Sequence, residues 1–194
     1  MIRALHLLTL LLIFLTPHSF AQPQAKQDLT VLNNIMAKQS QVAGKFEQAK
    51  HIAILPMPIR SSGAFSFTQA TGLDWTVLQP VHSQMILDKQ GIRQIQEGKV
   101  VWSLDANQPA ANHISTIIAS VLAADWQTLN EHFILSHKLS ENHWDIDLLP
   151  TSQVLLSAIK RITLSGDQVL KTMTLFEANG DSTVIQFDIS STKP

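Results

Sequence analysis

Apolar and polar positions alternate along most of the chain. Phe65 and Phe67 alternate with Ser66 and Thr68, and Leu73, Trp75 and Val77 with Asp74, Thr76 and Leu78. Val100, Trp102 and Leu104 alternate with Val101 and Ser103, and Thr183, Ile185, Phe187 and Ile189 with Val184, Gln186 and Asp188. A period of two predicts strands with one bulky apolar face and one mixed, more polar face. The first such pattern begins at Gly44-Lys45-Phe46-Glu47-Gln48 and continues through His51 to Leu55, where Pro56 and Pro58 end it. Five short segments follow: Gly63 to Thr68, Leu73 to Leu78, Ser83 to Asp88, Ile92 to Gln96 and Lys99 to Leu104. The dipeptides Thr71-Gly72, Gln79-Pro80, Gln90-Gly91 and Glu97-Gly98 supply the turns between them. Connections this tight leave no room for crossover helices, so the strands form an antiparallel meander.

The period changes twice. Asp28 can cap a helix whose apolar positions Leu29, Leu32, Ile35 and Met36 recur at three- and four-residue spacing, fading through Lys38 to Gln41. Gln108-Pro109 starts a second helix in which Ile114, Ile117, Ile118, Val121 and Leu122 form one stripe, and Ala123 to Leu129 continues it as a short third helix. Alternation then resumes in Phe133 to Leu139 and His143 to Leu148, a helical turn is expected over Thr151 to Ser157, and three strands follow at Ile159 to Leu164, Val169 to Phe176 and Ser182 to Ile189. Their turns are Ser165-Gly166-Asp167 and the strong hairpin signal Asn179-Gly180. Ten or eleven strands in this order predict a mainly β, α+β fold: one large, curved antiparallel sheet with helices laid on its concave side.

Composition narrows the setting. The chain has 194 residues, 45% hydrophobic and 15% charged, which fits one globular domain. With a formal net charge of -1 and no basic run beyond Lys160-Arg161, it has no electrostatic footprint for nucleic acid. Residues 1–21 combine Arg3, an apolar block from Leu7 to Leu15, Pro17 and a small-residue end at Ser19-Phe20-Ala21. They read as a secretory signal peptide cleaved after Ala21. The apolar block is about half of the roughly 20 residues that a spanning helix needs. The expected mature domain is therefore 22–194, exported to the periplasm. There is no Cys, so Gln22 stands where a lipoprotein would carry its acylated Cys, and stability rests on packing and sheet hydrogen bonds.

Catalytic motifs are absent: there is no GxSxG, HExxH, phosphate loop or Cys nucleophile. His132, His137 and His143, with Asp145 and Asp147, gather near one predicted hairpin. Their spacing matches no ligand motif, and a solvated strand face accounts for them. Neither metal nor cofactor is expected, and no enzymatic activity.

The order of the elements carries a resemblance. Gly44-Lys45-Phe46-Glu47-Gln48, Ser62-Gly63-Ala64-Phe65, Leu73-Asp74-Trp75 followed by Pro80, and Phe176-Glu177-Ala178-Asn179-Gly180-Asp181 through Phe187 together resemble the LolA family of periplasmic outer-membrane lipoprotein carriers. The likeness spans essentially the whole chain after the leader. It implies an unclosed β-barrel under a helical lid, enclosing an apolar cavity for the acyl chains of a lipoprotein or other lipid. It also implies an inner-membrane transporter as donor and an outer-membrane acceptor, with the carrier itself a monomer. On that reading Phe65, Phe67, Trp75, Val77, Leu87 and Trp102 line the cavity, and Ile114, Ile117, Ile118 and Val121 face it from the lid. The same helix stripe also reads as a plain core-packing face, such as any globular protein would have, and periodicity alone does not separate the two. Burial of about ten methylenes at roughly 0.8 kcal/mol each would hold a chain through water. Family carriers resemble each other in an Arg just before the Trp that latches the lid; here Asp74, an acceptor, stands in that place. Two other functions fit the same sequence: a sensor or interaction domain that binds a protein through its sheet edge or rim, and, less well, a lipid hydrolase.

Overall fold

A computed structural model describes residues 29–194, with the backbone alone for 109–113. Eleven strands form a single antiparallel sheet: β1 (Gln41–His51), β2 (Ile59–Thr68), β3 (Gly72–Gln79), β4 (Ser83–Asp88), β5 (Gly91–Gln96), β6 (Lys99–Asp105), β7 (Phe133–Ser140), β8 (His143–Pro150), β9 (Ile159–Gly166), β10 (Leu170–Glu177) and β11 (Ser182–Lys193). Their order in the sheet is β6-β5-β4-β3-β2-β1-β11-β10-β9-β8-β7. Two meanders thus run outward from a central β1·β11 pair, and β6 and β7 are the free edges. Between those edges the chain forms α2 (Pro109–Ala123) and α3 (Trp126–His132); α1 (Thr30–Ile35) precedes β1 and the short α4 (Gln153–Leu156) lies between β8 and β9.

The sheet coils inward. Neighbouring strands lie about 4.8 Å apart, so β3 and β11, three places apart, would be roughly 14 Å from each other if flat. Yet the rings of Trp75 and Phe187 on those strands have centroids 6.3 Å apart. α2 and α3 lie inside this curl, α2 over β1 and β5 and α3 over β7. Ile117, Val121, Leu122, Trp126 and Leu129 join the core formed by the inward residues of both meanders. The unclosed, helix-covered half-barrel expected from the sequence is the observed architecture.

Boundaries differ where long-range pairing overrides local pattern. β1 begins at Gln41, before the Gly44 motif, because Val42 is buried and Gln41 to Ala43 pair with Ser191 to Lys193 across a bulge at Ala43/Gly44. The same pairing extends β11 past Ile189 to Lys193. β1 also stops at His51; the apolar residues 52–55 form a turn, not strand. α3 begins at Trp126 because Ala124 adopts a left-handed conformation and the Asp125 carboxylate accepts from the Thr128 amide, capping a new helix. Asp28 and the signal-peptide segment lie outside the described residues.

Candidate functional site

The four family-like motifs meet at one place. Phe46 pairs with Gly63 and Phe187, and Phe65 pairs with Trp75. Phe46 stacks on Trp75 at 3.8 Å between centroids, Phe65 lies 5.7 Å from Trp75, and Phe187 meets Phe65 edge-on at 5.5 Å. Gly63 is required here. A Cβ at that position would sit 3.0 Å from the Phe46 ring and collide with the Thr76 carbonyl, so only Gly lets Phe46 lie flat against the neighbouring strand. Offset aromatic pairs of this kind contribute about 0.5–1.5 kcal/mol each beyond area burial. This cluster is the floor of the half-barrel.

Next to that floor, between α2 and the β2–β3 turn end of the sheet, lies a recess of 340 Å³. Phe67, Leu73 and Leu87 form its base, and the β2–β3 turn with Asp88 and Lys89 forms one side. Its roof is the α2 face carrying Ser115, Ala119 and Ala123 at four-residue spacing, side chains too small to fill the space beneath them. Ser115 Oγ is buried without a hydrogen-bond partner.

The residues singled out from the sequence divide into three groups. Phe65, Phe67, Leu87, Ile117 and Val121 are buried in the core, and Phe67 and Leu87 also line the recess. Trp75, Val77 and Ile118 are partly buried against that core. Trp102 and Ile114 stand 49% and 44% exposed, Trp102 on the concave side of the edge strand β6 and Ile114 on α2. The small-residue face of α2 went unnoticed in the sequence because the Ile stripe dominates the helix; the repeat Ser115, Ala119, Ala123 is the signal that marks it.

α2 is held at its C-terminal corner. The Gln39 amide donates to the Ala123 carbonyl at 2.7 Å, the Trp126 indole N–H donates to the Met36 carbonyl at 3.0 Å, and the Lys38 ammonium pairs with Asp125 at 2.5 Å. Burial raises the Asp125 carboxyl pKa, but the hydrogen bonds from Lys38 and Thr128 outweigh it and leave the pKa below the ordinary aspartate value. Asp74, by contrast, has no part in holding α2. It lies on the convex face, where Thr76 Oγ1 donates to it at 2.9 Å and Gln84 Nε2 at 2.6 Å.

A second recess of 690 Å³ lies on the convex face over β2, β1 and β11, lined by polar residues including Glu47, His51, Arg60, Ser62 and Gln186. The His and Asp residues of the β7–β8 region do not converge. His137 lies on the face of Ile146, opposite to Asp145 and Asp147; His143 is 3.3 Å from Asp145, and Asp147 is 3.9 Å from Arg161. Among the described residues no group of three or more His, Cys, Asp or Glu could hold a metal ion, and no helix is long and apolar enough to cross a membrane.

An open sheet curled round an aromatic floor, with a helix roofing a recess on its inner face, defines an unclosed half-barrel architecture. The profile described as "Outer membrane lipoprotein carrier protein LolA" matches residues 37–194, and the chain belongs to that family. Comparison with the curated proteins finds no match. Among solved structures, a LolA superfamily protein from Nitrosomonas europaea is similar at 7% identity over 85% of this chain and 90% of that chain, with a TM-score of 0.45. The MucA/MucB complex of Pseudomonas aeruginosa is similar at 11% identity over 87% of this chain and 59% of that chain, with a TM-score of 0.46. LprF from Mycobacterium bovis is similar at 9% identity over 79% and 85%, with a TM-score of 0.31.

Proposed function

We propose that the protein is a periplasmic carrier that holds the acyl chain of a lipoprotein or other lipid between α2 and the inner face of the sheet, for transfer towards the outer membrane. The observation that supports this is the recess under α2. Its 340 Å³ falls within the roughly 300–1,000 Å³ of small-ligand sites, and its base is apolar. Trp75, Val77 and Ile118, partly buried, and Trp102 and Ile114, exposed, extend an apolar surface beyond it. Cargo enters as α2 lifts from the sheet about its anchored C-terminal corner, and each methylene buried in place of water contributes about 0.8 kcal/mol. A donor transporter at the inner membrane and an acceptor at the outer membrane complete the route.

The test is to express the full chain, recover the protein from the periplasmic fraction and analyse it by native mass spectrometry and lipid extraction. Wild type carries an acylated species or binds an apolar fluorescent probe. Ala119→Phe, which fills the recess from its roof, reduces loading at least tenfold with its melting temperature retained. Full loading of Ala119→Phe would overturn the reading, as would wild-type protein that neither carries lipid nor binds the probe.

A further inference from the structure

The end of the half-barrel away from α2 carries a different chemistry. Strand directions place the C-terminus of β1, the N-terminus of β2, the β3–β4 connection, the β10–β11 turn and the α4 segment at this one end. Large apolar side chains project from three of these loops into solvent. Ile54 is 89% exposed, Met57 75% and Val154 68%; Leu55, Val81 and Leu156 are each more than two-fifths exposed. Residues 52–59, 78–81 and 152–158 contain no charged side chain at all, whereas surface connections are ordinarily polar. Apolar exposure on this scale marks an interaction site.

The loops form a continuous rim. The Ala53 amide donates to Asp181 Oδ1 at 2.9 Å, joining the β1–β2 loop to the β10–β11 turn, and the Ala178 amide donates to the Ala158 carbonyl at 2.9 Å, joining that turn to the α4 segment. Some of the charges just beneath are paired with one another, while Arg60 and Lys160 flank the uncharged segments. Lys50 pairs with Glu177 and lies 3.8 Å from Asp181. Ile54, Met57, Val81 and Val154 line neither recess; they are protruding tips spread across the strands from β3 to β8.

We propose that this rim docks the protein on a lipid bilayer, its uncharged apolar tips seating at the boundary between headgroups and acyl chains. A row of separate protruding tips suits a fluid surface that conforms to them, and the absence of charge in the tips makes the contact depend on buried apolar area and not on anionic headgroups. The proposal is independent of the cargo reading, because none of the rim residues lines the recess under α2.

Vesicle flotation of the periplasmically recovered protein tests it. Wild type floats with pure phosphatidylcholine vesicles and, to a similar extent, with vesicles containing phosphatidylglycerol, with little loss on raising the salt. The double variant Ile54→Asp/Met57→Asp, and separately Val154→Asp in another loop, floats at least tenfold less, with unchanged circular dichroism and unchanged apolar-probe binding. Val101→Asp, exposed on β6, floats as wild type. Wild type that stays in the unfloated fraction would overturn the proposal and point the rim to a protein partner. Equal flotation of both rim variants would overturn it, as would flotation that needs anionic lipid and disappears in salt. Failure of the cargo reading would appear instead as loss of probe binding in wild type, with flotation intact.

Discussion

The two meanders of one sheet are packed to different degrees. In the second, the inward residues Leu135, Ile146, Leu148, Ile162 and Leu164 are all 3% exposed or less. In the first, Leu73, Leu87 and Ile92 are buried to a similar degree, but the inward row beside them loosens outward from β3: Trp75 and Met85 are partly buried and Trp102 on β6 is half exposed. Both meanders have the same strand geometry and a similar supply of apolar residues, so the difference lies in what covers them. α3 packs directly on β7, whereas α2 presents small side chains to its side of the sheet and leaves a recess. One meander is therefore scaffold, and the other holds apolar surface that a ligand can take over.

The sharpest way to break this comparison is by truncation on each side. Leu148→Ala should cost about 3 kcal/mol by opening a cavity in a filled core, and Trp102→Ala under about 1 kcal/mol while weakening apolar-probe binding. Urea denaturation of the two variants measures both; equal losses of stability would erase the distinction between scaffold and exchangeable surface. A smaller effect is expected at the corner that joins the two regions. Trp126→Phe leaves the buried Met36 carbonyl without its donor and should cost about 1–3 kcal/mol. Faster amide hydrogen exchange in α2, with β8 and β9 unchanged, would show that the corner holds α2 and not the sheet. The smallest effect is the dependence on pH. The folded pKa of Asp125 is depressed, so its contribution is present above the ordinary aspartate pKa and is lost as the pH falls through the folded value. Asp88 behaves likewise, its carboxyl lowered chiefly by the hydrogen bond from Arg93. Asp125→Asn should thus be less stable than wild type at neutral pH, with the gap closing from about pH 5 downward; a gap that persists at about pH 2 would assign the effect to packing.

Much of the sheet was legible because a period of two and turn dipeptides are local signals. β4 runs over the expected Ser83 to Asp88, and Asn179-Gly180 does close a hairpin, with Gly180 at φ 94°. What escaped reading was set by partners distant in the chain. Residues 52–55 continue the apolar pattern of β1, but no strand faces them, and they become an exposed loop. Asp125 is an ordinary acid in sequence, and its importance depends on Lys38, 87 residues earlier. Phe46, Phe65, Trp75 and Phe187 were legible singly as bulky inward positions; that they stack on one another follows from register and curl. The oddity of Asp74 dissolves for the same reason. Alternation already places it opposite to Leu73 and Trp75, and its hydrogen bonds are to its own face of the sheet.

The free edges β6 and β7 are joined by a single helical strap. No ladder hydrogen bond crosses between them, so spreading the seam breaks no strand pairing and bends only the curvature of the sheet, like the opening of a split ring. The strap sets the limit. At about 1.5 Å per residue, the 15 residues of α2 and 7 of α3 give helical spans of roughly 22 and 10 Å, and the ring can gape only until these are drawn straight. A container built in this way adjusts its girth to contents of different bulk without exchanging a single pair of strands.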